Sequence, residues 1–521
     1  MRKFCRIVFS RYAVSAIFIL AEIVLLAYLI VYFSFYSLAF FVIGAIINLL
    51  VFISLINRST NPEFKLTWLA AVSFLPLFGG ALYIIFYSRR LGKNESRFLQ
   101  DMAHEFRECE QKYSEKERSA CALDELSELS RSASGRALAL LRDDAFASIY
   151  TCTVSNYFAS GESFYEDMKK SLSSARRFIF IETFIIEDGY MWKGIRKILL
   201  QRISEGVDVR ILYDDIGSMS TVPYDFDKKL RAEGIKCYRF GKVSPRLVSS
   251  HNNRDHRKIC VIDGEVAYTG GINIADEYIG KKMRFGHWKD GGIKVSGDAA
   301  RGFTKLFLML YDMTLMKCSD YAELLAPKDC DAPAGEGSRG FIAPFGSGPA
   351  PIYPTSVGKN TLMNIIGFAE SYLYISTPYL VIDYDLTEAL CAAAKRGVDV
   401  RIITPGVADK KLVKIMTKSS YPYLIGAGVR IFEYAPGFNH EKAVVADGTL
   451  AMVGSINLDY RSLVHHFEDG AWIYGDPVIN EIRDSLLAAL DVSREIEKRD
   501  ARLTFFEMIV RSVVRIFAPL L

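Results

Sequence analysis

Two stretches of this 521-residue chain carry the same chemically active side chains at the same spacing. In each, a histidine is followed two positions later by a lysine, then by an aspartate, a turn of small residues and an asparagine. The first stretch contains His256, Lys258, Asp263, Gly270, Gly271 and Asn273, and the second contains His440, Lys442, Asp447, Gly454, Ser455 and Asn457. Imidazole, ammonium and amide groups around one anion are suited to phosphoryl transfer.

The spacing places the histidine and the lysine of each stretch on one side of the backbone. On an extended strand, side chains two positions apart point to the same face, so both groups can converge on one phosphate. The glycines of the turn would let the backbone approach that phosphate closely. Asn273 and Asn457 would donate amide hydrogen bonds to its oxygens. One stretch could bind a phosphate, whereas two brought together would form a catalyst.

A shared site would give the two histidines different tasks. A neutral imidazole would attack phosphorus and form a phosphohistidine, and a protonated one would donate a proton to the leaving alkoxide. Opposite protonation states are expected because one positive charge disfavours a second nearby. The lysines would stabilise the phosphoryl charge, so no metal or other cofactor is required. We predict six catalytic residues, His256, Lys258, Asp263, His440, Lys442 and Asp447. We predict that the substrate is bound by Gly271, Asn273, Ser455 and Asn457.

The elements that must position these residues also occur twice. The segments ARRFIFIETFII (175–186) and EGVDVRILYDD (205–215) return as AESYLYISTPYL (369–380) and RGVDVRIITPG (396–406). In both copies, apolar β-rich runs alternate with amphipathic helical stretches, which predicts an α/β fold with sheets buried on both faces. We predict two pseudo-symmetric halves, at 151–335 and 336–500, that pack about a pseudo-twofold axis and form one active site.

The first 92 residues are predicted to be a membrane anchor. Residues 13–33 and 36–56 are apolar over a length that crosses about 30 Å of hydrocarbon, so they predict a tight transmembrane hairpin. A third apolar segment, 66–87, contains one proline and two glycines and predicts either a kinked span or a re-entrant element. Basic residues at both ends of the hairpin predict that both ends face the cytoplasm. The catalytic part would be cytoplasmic if the third segment re-enters, and outside if it spans.

The amino-acid composition limits the binding partners and the cellular compartment that we expect for this protein. The net charge of +4 arises in the apolar N-terminal part, and the balanced remainder argues against a nucleic-acid partner. The nine cysteines include no Cys-x-x-Cys pair, which favours free thiols in a reducing compartment. We therefore expect a multi-pass cell-membrane protein with a cytoplasmic catalytic part. Residues 93–150 predict a polar linker or helical neck, and 501–521 an amphipathic segment, lying in the membrane interface or packing on the enzyme.

The paired motifs resemble the phospholipase D superfamily, and the flanking stretches resemble bacterial cardiolipin synthases. These stretches are FLPLFGGALYIIF (74–86), GGINIADEYIG (270–280), STPYL (376–380), and NLDYRSL (457–463) followed by Glu468. The resemblance implies two phospholipase D-like α/β/α halves. It also implies transfer of a phosphatidyl group between two phosphatidylglycerol molecules, giving cardiolipin and glycerol through a phosphohistidine. His256 is assigned as the nucleophile and His440 as the acid/base, although the symmetry gives no physical reason for that order. The partners would be membrane phospholipids, and the oligomeric state stays open.

Three other functions are alternatives for a chain that carries these motifs. A phospholipase D-type hydrolase would have the same site chemistry, with water in place of the alcohol. A nuclease is disfavoured by the membrane segments and the balanced charge, and a non-catalytic scaffold by the intact residue sets. Two departures from the family pattern concern acceptor specificity. One is the Gly pair in HWKDGGIKV (287–295). The other is His465-His466, where one apolar residue and an asparagine are expected, and for which packing or surface roles are preferred over an extension of the site.

Overall fold

The protein is described here from a computed structural model. The described residues are 20–21, 24–25, 27–29, 31–32, 38–58, 61–74, 79–86, 93–117, 141, 144–145, 147–243, 253–326, 340–350, 352–501 and 504–517. The membrane helix predicted at 13–33 lies largely outside these ranges. The end of the predicted amphipathic segment, 518–521, lies wholly outside them.

In the described N-terminal residues, four helices have defined bounds. They are α1 (Leu38–Asn57), α2 (Pro62–Phe74), α3 (Gly79–Phe86) and α4 (Lys93–Glu117). The first three pack around a small apolar cluster formed by Val51, Leu55, Phe64, Trp68, Val72 and Tyr83. Helix α1 corresponds to the segment predicted at 36–56, contains no charged residue and leaves many apolar side chains exposed. Within the ranges given above, no helix has the combined length and apolar character required to cross a membrane.

The third predicted apolar segment contains most of α2 and all of α3. These two helices pack against each other. The approach is close enough to require glycine, because a Cβ atom at Gly79 would lie 2.4 Å from the Cα atom of Val72. The backbone N–H of Gly80 donates to Oδ1 of Asn48 on α1, at 2.9 Å. Both predicted forms of this segment, a kinked span and a re-entrant element, stay predictions.

The described residues of the first half form eight strands and six α-helices, together with a 3-10 helix at Asp276–Ile279. Its strands are β1 (Thr153–Phe158), β2 (Phe178–Thr183), β3 (Asp208–Asp214), β4 (Lys236–Phe240), β5 (Ile259–Ile262), β6 (Val266–Gly270), β7 (His287–Lys289) and β8 (Gly292–Gly297). Its helices are α5 (Gly161–Ser173), α6 (Tyr190–Ser204), α7 (Asp215–Ser218), α8 (Phe226–Ala232), α9 (Ala299–Leu315) and α10 (Tyr321–Leu324). Seven of the strands form a sheet in the order β1-β8-β6-β5-β2-β3-β4.

The second half repeats this plan. Its strands are β9 (Phe341–Ser347), β10 (Tyr372–Ser376), β11 (Leu380–Val381), β12 (Asp399–Pro405), β13 (Arg430–Tyr434), β14 (Gly437–Asn439), β15 (Ala443–Ala446), β16 (Leu450–Gly454), β17 (Leu458–Asp459), β18 (Glu468–Tyr474) and β19 (Ser493–Glu495). Its helices are α11 (Val357–Phe368), α12 (Tyr384–Lys395), α13 (Lys411–Gly426) and α14 (Val478–Asp491), and α15 (Phe505–Phe517) follows them. The sheet order is β19-β13-β12-β10-β15-β16-β18-β9.

The two sheets correspond strand for strand apart from the additional edge strand β19. In each, three parallel strands adjoin an antiparallel part that contains the motif strand, β5 or β15. Strand β2 (FIFIET) is buried at every position, as expected for a parallel strand covered by helices on both faces. The predicted α/β fold with two pseudo-symmetric halves is therefore confirmed.

The halves are joined through backbone pairing and a common core. Strand β7 of the first half pairs in parallel with β14 of the second, and Asp255 forms an equivalent bridge with Phe467. Helix α9 packs on both β9 and the first sheet, and one apolar cluster extends through both halves. The motif segments lie at this junction.

The predicted linker and the C-terminal segment both contact the catalytic halves. Helix α4 buries Leu99, Met102 and Phe106 against α9 and α10, so the start of the predicted neck is an amphipathic helix packed on the core. Helix α15 packs against α13 and α2, while Phe505 and Phe506 stay exposed. The C-terminal helix thus packs on the enzyme with one face and exposes apolar side chains on another, and its position in the membrane interface stays a prediction.

Candidate active site

Each motif histidine is held by the opposite half of the molecule. The backbone N–H of His256 donates to the carbonyl oxygen of Phe467 at 2.9 Å, and that of His440 donates to the carbonyl oxygen of Lys289 at 2.7 Å. Both imidazoles are buried. The reciprocal bonds mean that neither motif is complete without the other half.

A carboxylate from the opposite half also contacts each imidazole. Nδ1 of His256 lies 2.9 Å from Oε2 of Glu468, and Nδ1 of His440 lies 2.7 Å from Oδ2 of Asp290. Nδ1 is engaged in both rings, so Nε2 of His256 is the nitrogen left for chemistry at phosphorus, while Nε2 of His440 lies 2.9 Å from Nζ of Lys442.

Neither carboxylate belongs to a His-x-Lys motif, although both occupy equivalent places in the two halves. Asp290 precedes Gly292, which pairs with Gly270, and Glu468 precedes Gly470, which pairs with Gly454. The segments 287–292 and 465–470 therefore occupy equivalent places in the two halves. An acidic residue two positions before a glycine in both copies was the signal that could have identified them.

Burial and the neighbouring groups give Glu468 and Asp290 different protonation states. Burial opposes the ionisation of Glu468, but its electrostatic interaction and hydrogen bond with the ring of His256 outweigh burial and lower the pKa of Glu468. Burial raises the pKa of Asp290 to about 7, although Lys442 opposes this shift. At neutral pH, Glu468 is ionised while Asp290 can hold a proton. The carboxylates therefore differ although their positions correspond.

The two lysines connect the motifs electrostatically. Nζ of Lys442 lies 2.9 Å from both ring nitrogens of His440, and Nζ of Lys258 donates to the carbonyl oxygen of His256. Burial, followed by the charges of Lys442 and Lys258, lowers the pKa of His440 well below its usual value. Burial and Lys258 likewise lower the pKa of Lys442 to about 7, although Asp290 opposes the shift. Lys258 thus acts across the junction on both groups of the second motif.

Burial also keeps the first histidine neutral. It lowers the pKa of His256 to about 3, against the opposing effect of Glu468, and Lys258 contributes in the same direction as burial. A neutral imidazole retains a lone pair, which a nucleophile requires.

The motif aspartates lie at the far ends of the motif strands. Asp263 accepts hydrogen bonds from the backbone N–H groups of Arg176, Arg177 and Phe178 at 2.7–2.9 Å. Asp447 accepts three equivalent bonds from Glu370, Ser371 and Tyr372 at 2.8 Å. Strand β5 or β15, about 13 Å long at four residues, lies between each aspartate and its histidine-lysine pair. These bonds tie the motif turn to β2 or β10 and suit a positioning role, while the catalytic role of both aspartates stays a prediction.

The predicted amide ligands differ between the halves. Nδ2 of Asn273 donates to the hydroxyl of Tyr278 at 2.6 Å, and its Oδ1 accepts from the backbone N–H of Ile185 at 3.0 Å. Oδ1 of Asn457 is buried without a hydrogen-bond partner in the described structure. Asn457 thus has unused hydrogen-bonding capacity beside the site, whereas the side chain of Asn273 is occupied within its own half.

The small residues of the two turns accommodate the two carboxylates. A Cβ atom at Gly271 would lie 2.0 Å from Oδ1 of Asp290, so only glycine lets this carboxylate reach His440. At the equivalent place, the hydroxyl of Ser455 donates to Oε2 of Glu468. The structure therefore places Gly271 and Ser455 against the carboxylates that orient the histidines.

Two aromatic rings beside the histidines were not assigned from sequence. The ring of Trp288 is centred 5.4 Å from that of His440, and the ring of His466 is centred 5.4 Å from that of His256. Both His465 and His466 are buried, which fits the predicted packing role and not a surface one. In the described part of the chain, His256, His466 and Glu468 are also the group with the spacing of metal ligands.

Comparisons with known proteins agree with this geometry. The family described as "Cardiolipin synthase, PLD-like domain" matches residues 168–283 and 362–489, and "Phospholipase_D-nuclease N-terminal" matches 46–86. An uncharacterized protein of Streptococcus mutans serotype c is 37% identical, over 90% of this chain and 98% of that protein. A cardiolipin synthase of Geobacillus kaustophilus is 32% identical, over 92% of each chain.

A solved structure shows the same fold at low sequence identity. The phosphatidylserine synthase of Haemophilus influenzae superposes with a TM-score of 0.54 at 14% identity, covering 75% of this chain and 98% of that one. Together with the sequence matches, the paired motifs and the two corresponding sheets, this places the chain in the bacterial cardiolipin synthase family of the phospholipase D superfamily.

Proposed function

We propose that this enzyme makes cardiolipin by transferring a phosphatidyl group from one phosphatidylglycerol to another. The observation that carries the proposal is the reciprocal junction, where each His-x-Lys pair is completed by a carboxylate of the opposite half. Two imidazoles with different hydrogen-bond partners then face one substrate. The family and its matched relatives favour a synthase over a hydrolase.

The difference between the carboxylates supports the assignment of His256 as the nucleophile. Because Glu468 is ionised, it accepts a hydrogen bond from Nδ1 of His256, and Nε2 of that ring keeps its lone pair. In the first step, Nε2 attacks phosphorus of the first lipid, the P–N bond forms and the bond from phosphorus to the glycerol oxygen breaks.

Asp290 stabilises the opposite tautomer in the ring of His440. When it carries its proton, Asp290 donates to Nδ1 of His440, so the ring proton lies on Nε2. Nε2 of His440 passes that proton to the departing glycerol while Nδ1 takes the proton of Asp290, so charge and protons balance. Lys258 and Lys442 stabilise the phosphoryl oxygens during this step.

The second step reverses these transfers with a different alcohol. His440 removes the proton from a headgroup hydroxyl of the second phosphatidylglycerol, and that oxygen attacks phosphorus. The P–N bond to His256 breaks, and cardiolipin is released. Asn457, whose Oδ1 is unpaired, is available to accept a hydrogen bond from the substrate headgroup.

Product analysis with the purified full-length chain tests this function. Phosphatidylglycerol in detergent micelles should yield one glycerol for each cardiolipin formed. A double variant, His256→Ala with His440→Ala, should form neither product and serves as the control for contaminating activity. Formation of phosphatidic acid without cardiolipin would replace the synthase with a hydrolase.

The N-terminal part is further proposed to anchor the enzyme in the membrane, with the catalytic halves in the cytoplasm. Support comes from the exposed apolar side chains of α1 and from α2 and α3, which pack against each other. Exposed Cys152 and Cys318 provide a test. Single-cysteine variants at these positions should react with a membrane-impermeant maleimide only after cells are permeabilised. Labelling in intact cells would place the catalytic halves outside.

A further inference from the structure

His466 is a buried imidazole whose polar atoms are unused. Neither ring nitrogen has a hydrogen-bond partner in the described structure, although the residue is only 8% exposed. Buried polar atoms without partners are uncommon in folded proteins, because each one loses its hydration without compensation. The proposed transfer reaction does not use this ring, so the unpaired nitrogens indicate a different ligand.

The neighbours of His466 form a set of metal ligands. Nδ1 of His466 lies 3.7 Å from Oε1 of Glu468, and Nδ1 of His256 lies 2.9 Å from Oε2 of the same carboxylate. One ligand atom from each of the three residues lies within 4.8 Å of the other two. Ligands around a tetrahedral zinc ion at 2.0–2.1 Å are about 3.3 Å apart, so small side-chain rotations would bring all three onto one ion.

We propose that His256, His466 and Glu468 bind a zinc ion that inhibits this enzyme. Two imidazoles and one carboxylate form a donor set that suits Zn²⁺, with a fourth position left for water. Magnesium and calcium prefer all-oxygen ligands, so neither should occupy this site. The cationic side chains of Lys258 and Lys442 oppose binding, which makes the site suited to reversible occupation instead of permanent retention.

Inhibition follows from the tautomer of the nucleophile, and this step rests on the proposed function of His256. Zinc on Nδ1 takes the place of the proton donated to Glu468, and that proton moves to Nε2 of the same ring. Nε2 then has no lone pair with which to attack phosphorus. No proton or electron leaves the site, and removal of the ion restores the active tautomer.

The other half has no equivalent site. Trp288 occupies beside His440 the place that His466 occupies beside His256. An indole does not ligate zinc, so one ion per chain is expected. His287, an imidazole hydrogen-bonded to the Tyr434 hydroxyl at 2.9 Å and outside the set, offers a matched control.

The zinc site is tested by calorimetric titration of the purified full chain with ZnCl₂. The cardiolipin assay, run with and without EDTA, tests the inhibition. Wild type should bind one ion and lose activity that EDTA restores. His466→Asn should keep its activity without zinc, while its zinc dissociation constant and the inhibitory zinc concentration rise at least about tenfold. His287→Asn should match wild type. His466→Gln, checked by circular dichroism, provides a second variant if the first does not fold.

The outcomes separate the metal site from the catalytic function. Equal zinc affinity in wild type and both His466 variants would overturn the site, as would stimulation of activity by zinc. Substitution with Co²⁺ should give the visible absorption of a tetrahedral nitrogen-oxygen site in wild type and not in the variants. If zinc binds through His466 but no preparation makes cardiolipin, the site stands and the proposed function fails.

Discussion

The two halves of the molecule share one scaffold but surround the junction with different side chains. Where the first half has the buried acidic pair Glu182 and Asp255, the second has Ser376 and Asn439, joined by a 2.8 Å hydrogen bond from Nδ2 of Asn439. The carboxylates that contact the imidazoles differ in length and in pKa. In the proposed mechanism, equivalent positions keep the geometry of a duplicated site, while substitutions at those positions set the protons and give the two histidines different roles.

The largest expected effect comes from removing either histidine. His256→Ala and His440→Ala should each reduce cardiolipin formation by at least about 10⁴-fold. A phosphatidyl ester of p-nitrophenol should separate the roles, because p-nitrophenolate leaves without a proton. His440→Ala should then release nitrophenol in a burst and accumulate phosphohistidine at His256, whereas His256→Ala should do neither. Accumulation on His440 in the His256 variant would reverse the assignment.

Neutralising Glu468 should reduce kcat more than neutralising Asp290. In Glu468→Gln, the amide donates to Nδ1 of His256 and moves the ring proton to Nε2, so kcat should fall by about 10⁴-fold, as when an orienting carboxylate is lost elsewhere. In Asp290→Asn, the amide imitates the protonated acid, so the loss should stay below about 100-fold.

The dependence of kcat on pH should differ between the wild type and a variant at Asp290. Burial raises the pKa of Asp290 to about 7, so kcat of the wild type should decline as the pH rises through 7 and this proton is lost. Asp290→Asn should remove that decline. Measurement of kcat from pH 5.5 to 9 checks both statements, and an unchanged profile in the variant would assign the limb to another group.

The motif aspartates should matter equally to stability in the two halves. Asp263→Asn and Asp447→Asn each replace a carboxylate that accepts three backbone hydrogen bonds. Asparagine tolerates the left-handed conformation of both positions, at φ of 57° and 52°, so the change isolates the lost bonds. Each variant should lose about 1–3 kcal/mol of unfolding free energy in urea denaturation. A large fall in kcat without destabilisation would restore a direct catalytic role.

The smallest expected effect concerns the buried acidic pair. Burial, then Asp255, raises the pKa of Glu182 well above its usual value, and burial raises the pKa of Asp255 to about 7. A carboxyl group with a raised pKa in the folded state favours its protonated form. The stability that this form contributes is therefore present at low pH and is lost as the pH rises through the folded-state pKa, which is about 7 for Asp255. Glu182→Gln should therefore be more stable than wild type by about 1–2 kcal/mol at pH 8 and by less at pH 5. Ser376→Ala, its counterpart, should show no such pH dependence.

Local pattern was enough to predict much of the fold. Equal spacing in two copies predicted the corresponding halves, which the two sheets confirm. The catalytic roles of His256, Lys258, His440 and Lys442 stay predictions, based on the regular alternation of side-chain direction along a strand. Spacing alone did not show that Asp263 and Asp447 lie at the opposite ends of the motif strands from these pairs.

The tertiary structure decided which groups control the protons. Asp290 and Glu468 contact histidines of the opposite half, far away in sequence, and no periodicity within either copy indicates such a contact. Whether a carboxylate is ionised depends on burial and on charges brought together only by folding. The sequence by itself therefore indicated the kind of chemistry and the pair of histidines. The proposed division of roles between the two imidazoles came from the folded junction, because it depends on neighbours across the interface.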